Sequence, residues 1–555
     1  MKVKPKQLYE NKEGQVENSS RREFLKASAS VALAAGTPVK TVRAVGNNNF
    51  DYVVAGAGHN SLITAAYLAK AGFSVIVLEG RPTIGGGCKS SEICLPGFTD
   101  DWCSTVHRLL MANPLIKNNE LGLLDQGLEY IYPDPITHVP FPDHTSLTMW
   151  KDPKRTYQEY AKFSKRDADT FLRLLEEFKE VSRLNALGQP PTALWQRRYA
   201  MSAYDVVKHT FEHPHVRSFH LAVARFTSEP GGNPNTGKTA FTALTNQLGG
   251  RPIPKGGSGM LTVALGRVIE KNGGVILTGM PVQNLIIEAG KCVGLECVDS
   301  SRFRAAKGVV STIHVKHLVN MAPKELWGAD FLANLELFQP EEGLFAYYLA
   351  TSAPVKFPLE NGGTITPFES TMLPYPERIL RIPFDDSRGV PNLEDMWMQV
   401  VSTSVADPSR TPPGFHTVKI LGNAPYELAK DVGTWDDVRE KVASDVLKNL
   451  QRYAPSFTKD KILASVFMSP KDMERMNPAF WKGSIHAGSS SRSQMGDSRP
   501  VTGWANYRMP IPGLYQTGAC TQPGGSITGY PGRNAAGVIL ADAGKTIAEV
   551  VAIGR

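Results

Sequence analysis

The sequence predicts an α/β fold in which a dinucleotide-binding domain is assembled from separated stretches of chain, with a mixed α+β domain made from the stretches between them. Three observations carry this. A strand–glycine turn–helix–strand unit spans residues 50–79. A second glycine turn at 256–259 leads into a helix and a series of strand-like runs ending at Ser311. A strand, a glycine-rich loop and a helix then follow between residues 513 and 550.

The first unit is the most explicit. Phe50–Ala55 is β-branched and apolar, as a strand buried on both faces requires. Gly56-Ala57-Gly58-His59-Asn60-Ser61 follows, then a helical run Leu62–Ala71 closed by Gly72. Phe73–Leu78 is the second strand and ends in Glu79. Gly56 permits a tight turn, and Gly58 lets the backbone approach a pyrophosphate whose charge meets the N–H groups of the helix start. A carboxylate at Glu79 lies at the distance expected of a ribose ligand. Ser61 stands where this Rossmann-type pattern has its third glycine; serine is small enough to keep helix and strand together, with packing expected to be slightly looser.

Arg81-Pro82-Thr83-Ile84-Gly85-Gly86-Gly87 follows directly. The pattern E-x-R-x-x-x-G-G resembles the second glycine signature of the glutathione-reductase-type FAD fold, which a plain NAD dehydrogenase lacks. Gly256-Gly257-Ser258-Gly259-Met260 opens a helix through Glu270, and strand-like runs follow at 275–277, 282–287, 293–298 and 309–311. This resembles the returning half of an FAD domain. Near the C-terminus a strand running to Gly518, the loop Thr521–Gly529 and a helix from about Gly532 to Val550 repeat the glycine-turn-to-helix arrangement. A helix N-terminus there can stabilise negative charge on a reduced flavin ring.

Over residues 50–550 the chain resembles the phytoene dehydrogenase-related group of flavoproteins, and within it the branch of pyridine nucleotide-disulfide oxidoreductase domain-containing protein 2. The stretches that carry the resemblance are GAGHNS (56–61), CLPGFTDDWCSTVH (94–107), GGSGML (256–261) and PGGSITGYPGRNAA (523–536), with SKRDADTF (164–171) and NAPYELAKD (423–431) between them. The resemblance implies a glutathione-reductase-type FAD-binding Rossmann-like domain with an inserted mixed α+β substrate domain. It implies FAD as cofactor, held by Gly56, Gly58, His59, Asn60, Ser61, Glu79, Arg81, Gly86, Gly87, Gly518, Gly525, Ser526 and Ile527, with the backbone at Val282 meeting the adenine. The domain divisions expected are 45–115, 250–330 and 505–555 for the FAD domain and 116–249 and 331–504 for the substrate domain.

Composition narrows the function. The chain has 555 residues, 42% hydrophobic and 21% charged, which is ordinary globular usage and enough for large cores. Residues 1–44 hold nine Lys or Arg against four acids, so +5 of the formal charge of +8 sits in the leader. The remaining +3 over 511 residues leaves no basic field for nucleic acid. Within the leader, Ser20-Arg21-Arg22-Glu23-Phe24-Leu25-Lys26 resembles the twin-arginine export signal, followed by a short apolar stretch (27–36) and Val42-Arg43-Ala44 as a cleavage site. The expectation is a periplasmic or otherwise exported protein, carried across already folded. No stretch reaches the length of uninterrupted apolar residues that a membrane span needs. Peripheral contact with a membrane is compatible with an apolar substrate. Six cysteines include no Cys-x-x-Cys, which excludes a thioredoxin-like dithiol. Cys88, Cys94 and Cys103 are close enough in sequence that an oxidising compartment leaves both pairing and free buried thiols open.

On the substrate side, Thr156–Leu184 has helical spacing, with Phe163, Phe171, Leu172, Leu174, Leu175 and Phe178 among charged residues. It reads as ordinary core first and as a wall of an apolar tunnel second. His209, Glu212 and His213 spell H-x-x-E-H, but Pro214 biases His213 away from helix, so no metal is expected. His107, following the first FAD block, is the candidate for acid/base work. No second strand-flanked G-x-G-x-x-G is present, so a separate NAD(P)H domain is not expected and electrons pass to an acceptor such as oxygen or a quinone. The expected function is flavin-dependent dehydrogenation of an apolar or polyene-like small molecule. Redox-neutral isomerisation or saturation, and an FAD-stabilised interaction protein with little turnover, are the alternatives. Amine oxidation is less expected, because the substrate segments do not resemble that family.

Overall fold

The computed structural model describes residues 48–225, 229–391 and 393–553. The twin-arginine leader lies outside the described residues.

The first strand, β1 (Asn49–Ala55), is followed by α1 (His59–Lys70) and β2 (Val75–Glu79). Every residue of β2 is buried, the apolar run Val75–Leu78 as the middle of a parallel sheet requires and Glu79 at its carboxyl end. The chain returns to this sheet through α2 (Met260–Lys271), β3 (Val275–Thr278), β4 (Val282–Glu288), β5 (Lys291–Cys297) and β6 (Arg302–Ser311). It returns once more through β7 (Leu514–Gln516) and α3 (Tyr530–Asp542). The order is β4-β5-β6-β1-β2-β3, with β7 against the far end of β6. The pairings β6–β1–β2–β3 and β6–β7 are parallel, and β4–β5–β6 is antiparallel. Val54 is paired with Val77 on one side and Val310 on the other. The carboxyl ends of the parallel strands therefore place Gly56, Glu79, Thr312 and Gly518 along one edge, where open α/β sheets bind ligands.

A second seven-stranded sheet takes its strands from the stretches between. Its order is 462–468, 344–351, 416–423, 398–401, 369–372, 137–140 and 146–149. It is antiparallel except for the contact of Ser370 with His138. One face packs on helix Trp435–Tyr453, with Phe345, Met398, Ile420, Val446 and Leu450 in the shared core.

The two ends of the described chain meet through α1 and α3. A Cβ added at Gly532 would lie 2.3 Å from the Asn60 carbonyl oxygen, so only glycine allows the two helices to approach this closely. Thr64 donates its hydroxyl to the Gly532 carbonyl at 2.9 Å, and the Gly532 N–H donates to Asn60 Oδ1.

Four local expectations are corrected. α1 begins at His59 rather than Leu62, because Gly58 is extended and its carbonyl already accepts the Leu62 N–H at 3.0 Å. Ser61 does not loosen the turn. Its buried hydroxyl reaches the Gly56 and Gly58 carbonyls at 2.6 and 3.0 Å and ties the turn to the helix. The C-terminal helix is two helices, Tyr530–Asp542 and Ile547–Ala552. Gly544, at φ +72°, breaks them apart, and a Thr546–Glu549 capping box starts the second. The run 156–184 likewise divides into Pro153–Ala161 and Lys165–Ala186, the latter capped by Ser164.

Phe171, Leu174, Leu175 and Phe178 are buried with Trp195, Phe219 and Phe241 in an ordinary core. Neither they nor Phe163 or the half-exposed Leu172 reach the main cavity described below, so the tunnel-wall reading fails. His209 lies in helix Ala203–Thr210, whereas His213 caps the next helix, so the H-x-x-E-H residues share no helical face. No cluster suited to a metal exists among the described residues.

Candidate active site

A cavity of about 530 Å³ runs from the carboxyl edge of the first sheet into the second. Its first half is built from the glycine motifs. Gly58, the N-cap of α1, offers no side chain to the first turn, so the helix start presents N–H groups without a side-chain cap. The second glycine signature crosses it directly. Gly85 N–H donates to the Ala57 carbonyl at 2.8 Å, and a Cβ on Gly86 would lie 3.2 Å from Gly58 Cα. At Gly56 (φ +87°) a Cβ would sit 2.5 Å from Thr312 Oγ1.

Glu79 lies between these pieces. Its carboxylate accepts the Ala57 N–H at 2.7 Å and the Arg81 N–H at 2.8 Å, which links the two glycine motifs. The backbone then turns back on itself. Gly279 N–H donates to the Arg81 carbonyl and Met280 N–H to the Glu79 carbonyl, and this brings Val282 to the cavity wall.

Gly56, Gly58, His59, Asn60, Glu79, Arg81, Gly86, Gly87, Val282, Gly518, Ser526 and Ile527 all line the cavity. Ser61 and Gly525 do not. Ser61 is turned into the backbone of its own turn, and Gly525 is pressed against the chain behind it, where a Cβ would meet His486 Cα at 2.5 Å. Ser526 holds φ +71°, a backbone region that side-chain-bearing residues seldom occupy, and it does so on the cavity wall. The imidazole of His59 lines the same wall with a buried, unpartnered Nε2, and burial pushes its pKa down to about 4.

Bare glycine backbone, an uncapped helix start, a carboxylate at the end of β2 and an unpartnered ring nitrogen fit a dinucleotide, and the set fits FAD. Bound there, FAD would supply two-electron chemistry at its isoalloxazine ring.

The third glycine block has a different role. Gly256–Gly259 lies outside the cavity lining and is fastened by buried charges. Asp101 accepts Ser258 N–H at 2.8 Å and Ser90 Oγ–H at 2.6 Å, and Asp407 accepts Gly256 N–H at 2.7 Å. The fully buried Arg410 spans both carboxylates, at 2.8 Å to Asp101 and 3.2 Å to Asp407. This guanidinium, with Lys419, keeps the Asp101 carboxyl below its usual range despite the burial that opposes it. Neighbouring Asp100 has no such bond and burial pushes it up to about 8.

The second half of the cavity is mostly apolar. Val106, Leu344, Phe345, Val401, Leu421 and Phe480 line it. Polar groups also reach the cavity. Arg251 donates to Glu369 at 3.0 Å, and burial raises the Glu369 pKa. Lys419 Nζ donates to the Cys103 carbonyl and to Thr105 Oγ1, both at 2.8 Å, and burial lowers its pKa. His486 donates from Nδ1 to Glu341 Oε2 at 2.8 Å.

His107 is not part of this surface. It is fully buried behind Ser104, 2.7 Å from Ser258 Oγ and 3.1 Å from the Tyr130 hydroxyl, and burial pushes its pKa down to about 3. The expectation that it works on substrate is therefore corrected: it braces the third glycine block. All six cysteines are free, and burial pushes Cys88 up to about 12, so none is poised as a thiolate. Sequence reasoning missed Lys419, His486 and the Arg251–Glu369 pair. None belongs to a motif, and only folding brings them to the glycine turns.

This architecture defines a flavoprotein oxidoreductase with FAD as its cofactor. The family model described as flavin containing amine oxidoreductase matches residues 62–540, and the chain belongs to that family. The match spans the substrate segments and so corrects the expectation that they fall outside it. The chain is 26% identical to a limonene dehydrogenase subunit from Castellaniella defragrans, over 90% of this chain and 95% of that protein. It is 27% identical to pyridine nucleotide-disulfide oxidoreductase domain-containing protein 2 of Mus musculus, over 89% and 94%. Among solved structures, an oxidoreductase from Methanosarcina mazei shares the fold with a TM-score of 0.59, at 20% identity over 89% of this chain and 99% of that one.

Removing the Glu79 carboxylate strands two backbone N–H groups at the junction of the glycine motifs, at about 1–3 kcal/mol each. Glu79→Ala is expected to weaken FAD binding roughly ten- to a hundredfold, read by titrating apoprotein with FAD and following flavin fluorescence. Unchanged affinity would remove Glu79 from the cofactor site.

Proposed function

We propose that this enzyme dehydrogenates an apolar or polyene-like small molecule, for which bound FAD would supply the hydride acceptor and oxygen or a quinone would take the two electrons onward. The observation that carries this reading is the continuity of one cavity, which joins the glycine-built cofactor edge to a wall of Val106, Leu344, Phe345, Val401 and Leu421. An apolar molecule gains about 25 cal/mol per Å² there, whereas an ionised amine meets no unpartnered carboxylate in the lining among the described residues, since Glu369 is held by Arg251 and Glu79 by the Ala57 and Arg81 N–H groups. The name of the limonene dehydrogenase relative, which matches nearly the whole chain, points the same way. The chain's own contribution is to exclude water and hold the reacting carbon against the cofactor edge.

The test is anaerobic mixing of the FAD-loaded protein with terpenoid, carotenoid and amine panels, followed at the flavin absorption band. Bleaching by an alkene or polyene class is expected. Bleaching by amines alone would replace this reading with amine oxidation.

The leader supports export by the twin-arginine route. Cell fractionation should place the mature chain in the periplasm, and R21K together with R22K should hold it in the cytoplasm. Equal export of the variant would end the assignment.

The enzyme reaches an apolar substrate by resting on a lipid surface. Helix Arg378–Ser387 exposes Leu380 and Phe384, one turn apart, with Arg381 beside them and Val390 and Arg388 just beyond its end. The two arginines match an anionic lipid surface. Co-sedimentation with vesicles containing anionic phospholipid is expected to fall severalfold for Phe384→Asp, and equal binding would locate any membrane contact elsewhere.

A further inference from the structure

We infer that His486, held by Glu341, is the catalytic residue that accepts the proton released when substrate is dehydrogenated in this cavity; the inference rests on the dehydrogenase reading above. Dehydrogenation across a carbon–carbon bond takes two different hydrogens. One leaves as hydride, with its electron pair, to the oxidised flavin. The second C–H bond breaks with its pair retained as the new C=C, and its proton needs a base. In a mostly apolar cavity that base must be a side chain.

The geometry of His486 suits this. Glu341 is buried and holds the histidine twice, accepting the backbone N–H at Oε1 (2.5 Å) and the ring Nδ1–H at Oε2 (2.8 Å). Glu341 is itself anchored by its own N–H on Ser484 Oγ at 3.0 Å. With the hydrogen on Nδ1, the neutral ring carries its lone pair on Nε2. That nitrogen has no partner among the described residues, and the residue lines the same cavity as Ser526 and Ile527. The backbone cannot drift, because it is pressed on Gly525 and its carbonyl accepts from Arg499 at 2.9 Å.

The other cavity histidines are placed differently. His314 uses both ring nitrogens, on the Ala487 carbonyl and the Lys316 N–H. His317 contacts the Pro478 carbonyl, and His59 has no carboxylate behind it. Two charged groups face His486: Glu341, which favours the imidazolium, and Arg499, which opposes it. Glu341 prevails over Arg499 and over burial, so the ring titrates above its ordinary value. A base with a raised pKa is neutral only above that pKa, so the rate of flavin reduction should rise with pH through it.

The full FAD-loaded chain is used for both arms of the test. With a substrate that bleaches the wild type, His486→Asn should slow anaerobic reduction by about 10²–10³-fold and abolish the pH dependence, with FAD content unchanged. Glu341→Gln should move the midpoint to lower pH. Independently of turnover, carbethoxylation by diethyl pyrocarbonate, mapped by mass spectrometry, should label His486 with a pH midpoint above about 6.5 that Glu341→Gln lowers. Wild-type rate and pH profile in His486→Asn would overturn the inference while leaving the dehydrogenase reading intact. If no compound bleaches the wild type, that reading fails, and absence of labelling at His486, or a midpoint indifferent to Glu341, would then overturn this one separately.

Discussion

Close backbone contact at a handful of glycines holds the molecule in its working shape. Gly532 sets α3 on α1, Gly86 sets the second glycine turn on the first, and Gly525 sets the loop before α3 on the segment that carries His486. At Gly532 and Gly525 a single methyl group would arrive at 2.3–2.5 Å from backbone atoms, closer than any side chain tolerates. Overpacking of this kind typically costs about 1–3 kcal/mol and displaces the backbone. One of these contacts, Asn60 with Gly532, joins residues more than 400 positions apart. The cofactor edge and the His486–Glu341 pair therefore depend on the same constraint.

Buried charge reinforces it. Arg410 binds Asp101 and Asp407, and through them fixes Gly256 and Ser258 beside the start of α2. Arg251 and Glu369 form a second buried pair in the cavity wall. Such pairs add little net stability over an apolar packing, yet losing one partner costs about 3–5 kcal/mol, so they specify one arrangement of loop and sheet. This is also why a glycine-rich block resembling a cofactor loop lies behind the cavity. Gly256 and Ser258 donate their N–H groups to carboxylates of the protein itself, and Gly259 donates to the Ser90 hydroxyl.

The βαβ unit was legible because its signals are local: an apolar β-branched run, a glycine turn and an acid at fixed spacing. The role of Ser61 was not, since the choice between loosening a contact and bonding two carbonyls depends on the backbone around it. Helix breaks at Lys162–Ser164 and Ala543–Thr546 were missed because hydrophobic periodicity continues across them, and a cap shows itself only in backbone geometry. His107 follows a cofactor motif in sequence, yet the fold turns it toward Ser258. His486 follows no motif, and its partner Glu341 lies 145 positions away in the chain, so no local pattern marks the pair.

From its residues alone this chain determined its fold class, its cofactor and the segments that would meet, because glycine turns and strand patterns encode backbone requirements that neighbours in sequence satisfy. Tertiary structure alone decided which of the glycine blocks face the cavity, which of its histidines is held by a buried carboxylate, and how apolar the substrate side is. Those properties belong to distances between residues far apart in the chain, set by packing and by the pairing of buried charges.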